Sequence, residues 1–137
     1  MKYTNQIFKV IILITILSFS SCSTSDDNVL EQEVENTIIG RWHIVGFEQT
    51  TMYVFTENLR YTIYSTDGNF GGIETAIPNP NEWVFEGDEL VIDLNFGNFS
   101  RTIPNFRCEG NVVDLVDANG GTTTLFRENY DINSCTE

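Results

Sequence analysis

Trp83-Val84-Phe85-Glu86-Gly87-Asp88-Glu89-Leu90-Val91-Ile92-Asp93 is the stretch on which the fold turns. A short run rich in aromatic and β-branched residues precedes Gly87-Asp88, an apolar run follows it, and that dipeptide tolerates the positive φ of a tight hairpin turn, so the stretch reads as two antiparallel strands. Successive side chains of a strand point to opposite faces. Trp83 and Phe85 therefore share one face, as do Leu90, Ile92 and Leu94, while Glu82, Glu86, Val91 and Asp93 point away.

The same hairpin chemistry recurs on both sides. Phe106-Arg107-Cys108-Glu109-Gly110-Asn111 echoes Trp83 to Asp88, Tyr53 to Leu59 is a looser copy, and Glu57-Asn58, Gly97-Asn98 and Asn119-Gly120-Gly121 supply further turn residues. Eight β-rich runs result: Ile38 to Glu48, Thr51 to Thr56, Leu59 to Ser65, Glu82 to Glu86, Leu90 to Asn95, Phe99 to Ile103, Val112 to Val116 and Thr122 to Arg127. None shows a sustained helical period. The reading is an all-β domain, an up-and-down antiparallel meander of about eight strands that closes into a barrel and so removes exposed strand edges. Tyr61 with Ile63, and Val113 with Leu115, are expected to face inward. One long connection, Gly71 to Asn81 with Pro78 and Pro80, breaks the spacing, and long loops in small domains often serve function.

The chain begins differently. Met1 to Ser21 sets Lys2 and Lys9 before a short apolar run, Val10 to Phe19, and ends on Ser20 and Ser21 ahead of Cys22, the layout of an export signal. A membrane-spanning helix needs about 20 apolar residues, more than this run offers. The spacing resembles a bacterial lipoprotein signal. That resemblance implies cleavage before Cys22, acyl chains such as palmitate on its thiol, and a place in the cell envelope as an outer-membrane lipoprotein. Ser25-Asp26-Asp27 is similar to acidic signals that send lipoproteins to the cell surface, with plain solvated linker as the alternative. The expected organisation is a signal over 1–21, a lipid anchor and acidic tether over 22–36, and one folded domain over 37–137. With Cys22 acylated, as the resemblance implies, Cys108 and Cys135 remain as a pair in an oxidising compartment, where a disulfide is the default.

Charge narrows the partners. Both lysines lie in the signal, and removing those two positive charges from the formal −13 leaves −15, with five arginines against 20 carboxylates. Nucleic-acid binding depends on basic side chains that displace phosphate counterions, so that class is excluded, and attachment to a membrane is expected through the lipid alone. The acidity itself reads as a solvated surface that keeps a monomer soluble.

Gly40-Arg41-Trp42 opens the first strand and Arg127 lies on the last. This pairing resembles the lipocalins, specifically the small lipocalin-like domains of bacterial lipoproteins. The resemblance implies that Trp42 crosses the closed end of the barrel beneath the guanidinium of Arg127, an attraction of roughly 0.5–2 kcal/mol. It also implies a small hydrophobic ligand at the opposite, open end, with Tyr53, Tyr61, Trp83 and Phe85 as its walls. An eight-stranded barrel is wide enough either to be filled by side chains or to hold one small molecule, and the large inward residues leave both open. The alternative function is an accessory module with a filled core, meeting another envelope protein or a glycan through its surface, with Tyr64 and Phe70 as glycan-stacking candidates.

No enzyme is expected. His43 is the only histidine, it neighbours Trp42 and so points out of the barrel toward solvent, and no catalytic triad can be assembled around it. Asp114, Asp117 and Asn119 lack the ligand count and glycine position of a calcium loop, so neither a metal nor a cofactor is expected.

Overall fold

Eight strands form in chain order: β1 (Gly40–Ile44), β2 (Thr51–Phe55), β3 (Leu59–Tyr64), β4 (Asn81–Glu86), β5 (Glu89–Asp93), β6 (Phe99–Arg107), β7 (Val112–Asp117) and β8 (Thr122–Arg127). The computed structural model describes residues 37–136; the signal over 1–21, the lipidation site Cys22 and the tether over 22–36 lie outside the described residues. Each strand pairs antiparallel with its sequence neighbours, and β1 pairs with β8 to close the ring. The expected eight-stranded barrel is thus the observed architecture. The only helical elements among the described residues are two 3₁₀ turns, Ile73–Thr75 and Ile132–Ser134.

At two strands an end differs from expectation by more than two residues. β1 stops at Ile44 because the chain turns there, with the Phe47 amide donating to the Ile44 carbonyl and the Thr51 amide to that of Phe47. β6 runs through Pro104 to Arg107, four residues beyond the expected Ile103. Its register with β5 ends at Thr102, so Pro104 falls where one flank of β6 carries no partner strand, the setting in which a strand tolerates a missing N–H.

Residues paired across antiparallel strands share a face, so the register separates inside from outside. Inside are Trp42, Ile44, Phe55, Leu90, Ile92, Val113, Leu115 and Leu125, joined by Ile38 in one cluster in which every member is buried. The inward placement expected of Trp83, Leu90, Ile92, Val113 and Leu115 is observed, whereas Leu94 is half exposed beyond the end of β5. Tyr61 and Ile63 correct the sequence reading. Both lie outside, where Met52, Val54 and Ile63 form a second cluster covered by Tyr61, Phe70 and Ala76. The connection from β3 to β4 folds back over the sheet, so the more apolar row of β3 is its outer one.

A third cluster clothes the opposite flank. Val112 and Phe126, outward on β7 and β8, are covered by Tyr130, Ile132 and the pair Cys108 and Cys135, whose Cα atoms stand 5.7 Å apart at disulfide separation. Beside it, Asp114 accepts from Arg107 Nε at 2.8 Å and from Thr124 Oγ1 at 2.7 Å, tying β6, β7 and β8 together. Burial raises the pKa of Asp114 and the bonds from Arg107 and Thr124 lower it, with the net result below the ordinary carboxylate value.

Two outcomes follow from these clusters. The sequence separation of 27 between the cysteines corresponds to about 3–4 kcal/mol in the chain-entropy treatment, so the double Cys108→Ser, Cys135→Ser variant is expected to lose stability of that order in urea unfolding. Because the folded pKa of Asp114 lies below its unfolded value of about 4, its contribution is complete above that pH and disappears as the pH falls through the folded value. The stability gap between the native chain and Asp114→Asn is therefore expected to narrow between neutral pH and the acid side of that range, as unfolding at both pH values would read.

Candidate functional site

Closure of the barrel fixes one end. Trp42 pairs in register with Arg127, the guanidinium carbon stands 4.1 Å from the centre of the Trp42 ring, and the indole is wholly buried. All three guanidinium nitrogens donate to backbone carbonyls: Nη2 to Thr37 at 2.7 Å, Nη1 to Ile39, and Nε to Gly110 at 3.3 Å. The indole Nε1 donates to the Ile38 carbonyl at 2.7 Å. The Arg127 charge is thereby spread over carbonyl dipoles and an aromatic face with no carboxylate, and burial draws its pKa down. Gly40 has φ +134, and a Cβ there would run into Arg127 Nη1, which accounts for glycine two residues before Trp42.

The aromatic side chains inside form a continuous row. Tyr53 meets Phe55, Phe55 meets Trp83 and Trp83 meets Phe85, each edge to face with centroids 5.9–6.4 Å apart. Of the four expected ligand walls, Tyr53 and Trp83 lie against the interior cluster, and the Trp83 Nε1 donates to the Thr56 carbonyl. Tyr61 is outside, as described. Phe85 faces inward but at the opposite end from that expected, because β4 runs back toward the end at which β1 starts; there it borders a shallow cup of about 440 Å³ with Gly87, Pro104 and Phe106.

The residue that sequence reasoning missed is Arg60. It pairs with Phe55, which places it on the interior face, and its guanidinium carbon stands 4.6 Å from the Tyr53 ring centre. Nη2 donates to Asn81 Oδ1 at 2.5 Å, and Asn81 Nδ2 in turn donates to the Asp93 carbonyl at 2.7 Å. Nε is buried without a hydrogen-bond partner. Desolvation lowers the Arg60 pKa, opposed by the neighbouring phenols of Tyr53 and Tyr64, yet an arginine remains charged at any physiological pH. Arg41, Arg101 and Arg107 all meet carboxylates, whereas among the described residues Arg60 forms no ion pair. It sits near the start of β3, in register with Phe55 on one side and Asn81 on the other, with polar Thr62, Asn81 and Thr102 on the same inner face. Arg60-Tyr61-Thr62-Ile63-Tyr64 does carry an alternating signal; it was legible only to a reader who let the polar row point in.

Other candidates are placed as follows. His43 points out of the barrel as expected, but it is half-buried between two rings, stacked on Phe126 at 5.1 Å and edge-on to Phe70 at 5.5 Å, which corrects the expectation of a solvated side chain. It joins the two outer clusters. Tyr64 is exposed at the rim while Phe70 packs beneath its own loop, so the two do not make one stacking surface. Asp114 is committed to Arg107 and Thr124, and Asp117 accepts from the amides of Asn119 and Gly121 within its own turn.

No protein-family model, curated protein or solved structure matches the chain.

Removing the Arg127 clasp is expected to be costly, since a lysine cannot bridge three carbonyls while lying flat on an indole. Arg127→Lys and Gly40→Ala are each expected to lower unfolding stability by at least about 2 kcal/mol, with near-ultraviolet dichroism of Trp42 lost alongside.

Proposed function

We propose that this is a non-catalytic binding protein of the bacterial cell envelope, an outer-membrane lipoprotein held by lipid on Cys22, whose lipocalin-like barrel receives a small apolar molecule bearing an anionic group. The observation that carries this reading is Arg60: a desolvated guanidinium on the barrel's inner face, with one donor unused and no carboxylate beside it in a chain that has 20 of them. Leaving a buried charge unpaired is unfavourable, and an entering carboxylate, sulfonate or phosphate offsets that cost through charge-assisted bonds. Tyr53 and the ring row beyond it offer the apolar flank. The cluster around Trp42 fills much of the interior, which limits the ligand to a small one.

The second reading, an accessory module that meets another envelope protein, is favoured by a separate observation, the apolar side chains left exposed on β4 and β6.

Titration of the full-length protein with dodecanoate and with dodecanol, followed by the fluorescence of Trp83 and Trp42, separates head-group recognition from simple partition. The carboxylate is expected to bind at least about tenfold more tightly than the alcohol, and Arg60→Met is expected to erase that difference, since a bond to a charged group contributes about 1.5–3 kcal/mol. Arg60→Met is also expected to fold with undiminished stability, because it removes a desolvated charge and keeps the packing of the stem. Equal affinity for acid and alcohol in the native chain would sink the reading.

A further inference from the structure

One arc of the barrel's outer surface is left without cladding by the described residues. The β3–β4 connection covers the outside of β2 and β3, and the C-terminal segment covers that of β7 and β8. Between them the outer faces of β4, β5 and β6 bring Val84, Val91 and Arg101 side by side in register, with Asp93 opposite Phe99. Val84, Phe99 and Ile103 are each more than half exposed, at 53%, 56% and 54%. A groove of about 260 Å³ runs between Val84 and Phe99, floored by Val91 and edged by Glu82, Glu86 and Asp93. Arg101, at its margin, is neutralised by Glu86 at 2.8 Å and Glu89 at 3.2 Å. Glu82 and Asp93 form no ion pair among the described residues.

We propose that this arc docks an extended segment of a partner protein in which an apolar side chain is flanked by lysine or arginine. Charge selects the occupant. Four carboxylates stand against one guanidinium around an apolar floor, so a cationic flank is attracted and an acidic one repelled. A second copy of this chain is a poor fit. It would bring the same acidic arc or another part of a domain that has no lysine among the described residues. Strand addition is not open to the partner at the floor of the groove: Val91 on β5 pairs with Val84 on one side and Arg101 on the other, so recognition there rests on side chains. The exposed apolar groups sit on paired strands, so they are held in place before binding, and little ordering is required of this side of the contact.

Nuclear magnetic resonance of the backbone-assigned full-length protein tests this with three synthetic peptides of equal length: a leucine-phenylalanine core flanked by lysines, the same core flanked by glutamates, and a serine core flanked by lysines. Only the first is expected to shift the amides of Val84, Val91, Phe99 and Arg101, with Arg60 and Tyr53 unmoved and with affinity falling severalfold from low to high salt. Phe99→Ser and Val84→Ser, both at exposed positions, are each expected to weaken that binding about tenfold. Should one of them fail to fold, as dichroism would report, the other decides. Equal binding of the glutamate-flanked peptide, shifts elsewhere, or unaltered affinity in the folded variants would overturn the proposal. So would a dimer of the free protein that dissociates in Val84→Ser, which would make the occupant a second copy.

Discussion

The clasp of Arg127 over Trp42 is the interaction on which the other arrangements rest. It joins the first strand to the last, and the three carbonyls it bridges belong to the lead-in to β1 and to the β6–β7 turn, so one side chain holds three separate parts of the chain. With that seam closed, every strand has two neighbours and the interior side chains have a fixed volume to fill. They fill it from the Trp42 end upward. Apolar material is concentrated around Trp42, and Thr62, Asn81 and Arg60 make a polar part of the inner face.

The five arginines divide by what surrounds them. Arg41, Arg101 and Arg107 lie on the surface and meet Glu128, Glu86 with Glu89, and Asp114, contacts that solvent screens and that add little singly. Arg127 is satisfied without any opposite charge. Arg60 has the Tyr53 face and one hydrogen bond, to Asn81, but no ion pair among the described residues and a buried Nε without a partner, and the proposal of an anionic ligand rests on that contrast.

Much of this was readable in the chain. Turn residues at Gly87-Asp88 and Gly110-Asn111 located hairpins, and the Gly40 to Trp42 spacing with Arg127 anticipated the seam, because both signals are local or rest on rare residue types. The orientation of β3 was not readable. Its more apolar row, Leu59, Tyr61 and Ile63, reads as the inner one, and it can turn outward only because a loop from elsewhere, Phe70 and Ala76, covers it. Arg60 was overlooked for that same reason: charged residues are assumed to face water, and alternation gives the period of a strand but not its sign. The extension of β6 through Pro104 depended on where β5 ends, which is again a relation between distant segments.

The seam has a consequence for the order of events in synthesis. Its contacts span nearly the whole domain, from Thr37 to Arg127 and from Arg41 to Glu128, separations of 90 and 87 residues. Loops of that length close slowly compared with the hairpins inside them, as in other β-proteins dominated by distant pairings. A nascent chain that has reached β7 therefore holds a row of hairpins with an open margin on each side, and no amount of waiting closes it. Only the arrival of β8 does so. Pairing of β8 with both β7 and β1 is the step that hides the open margins of those two strands, which keeps the chain threadable until Arg127 has been made.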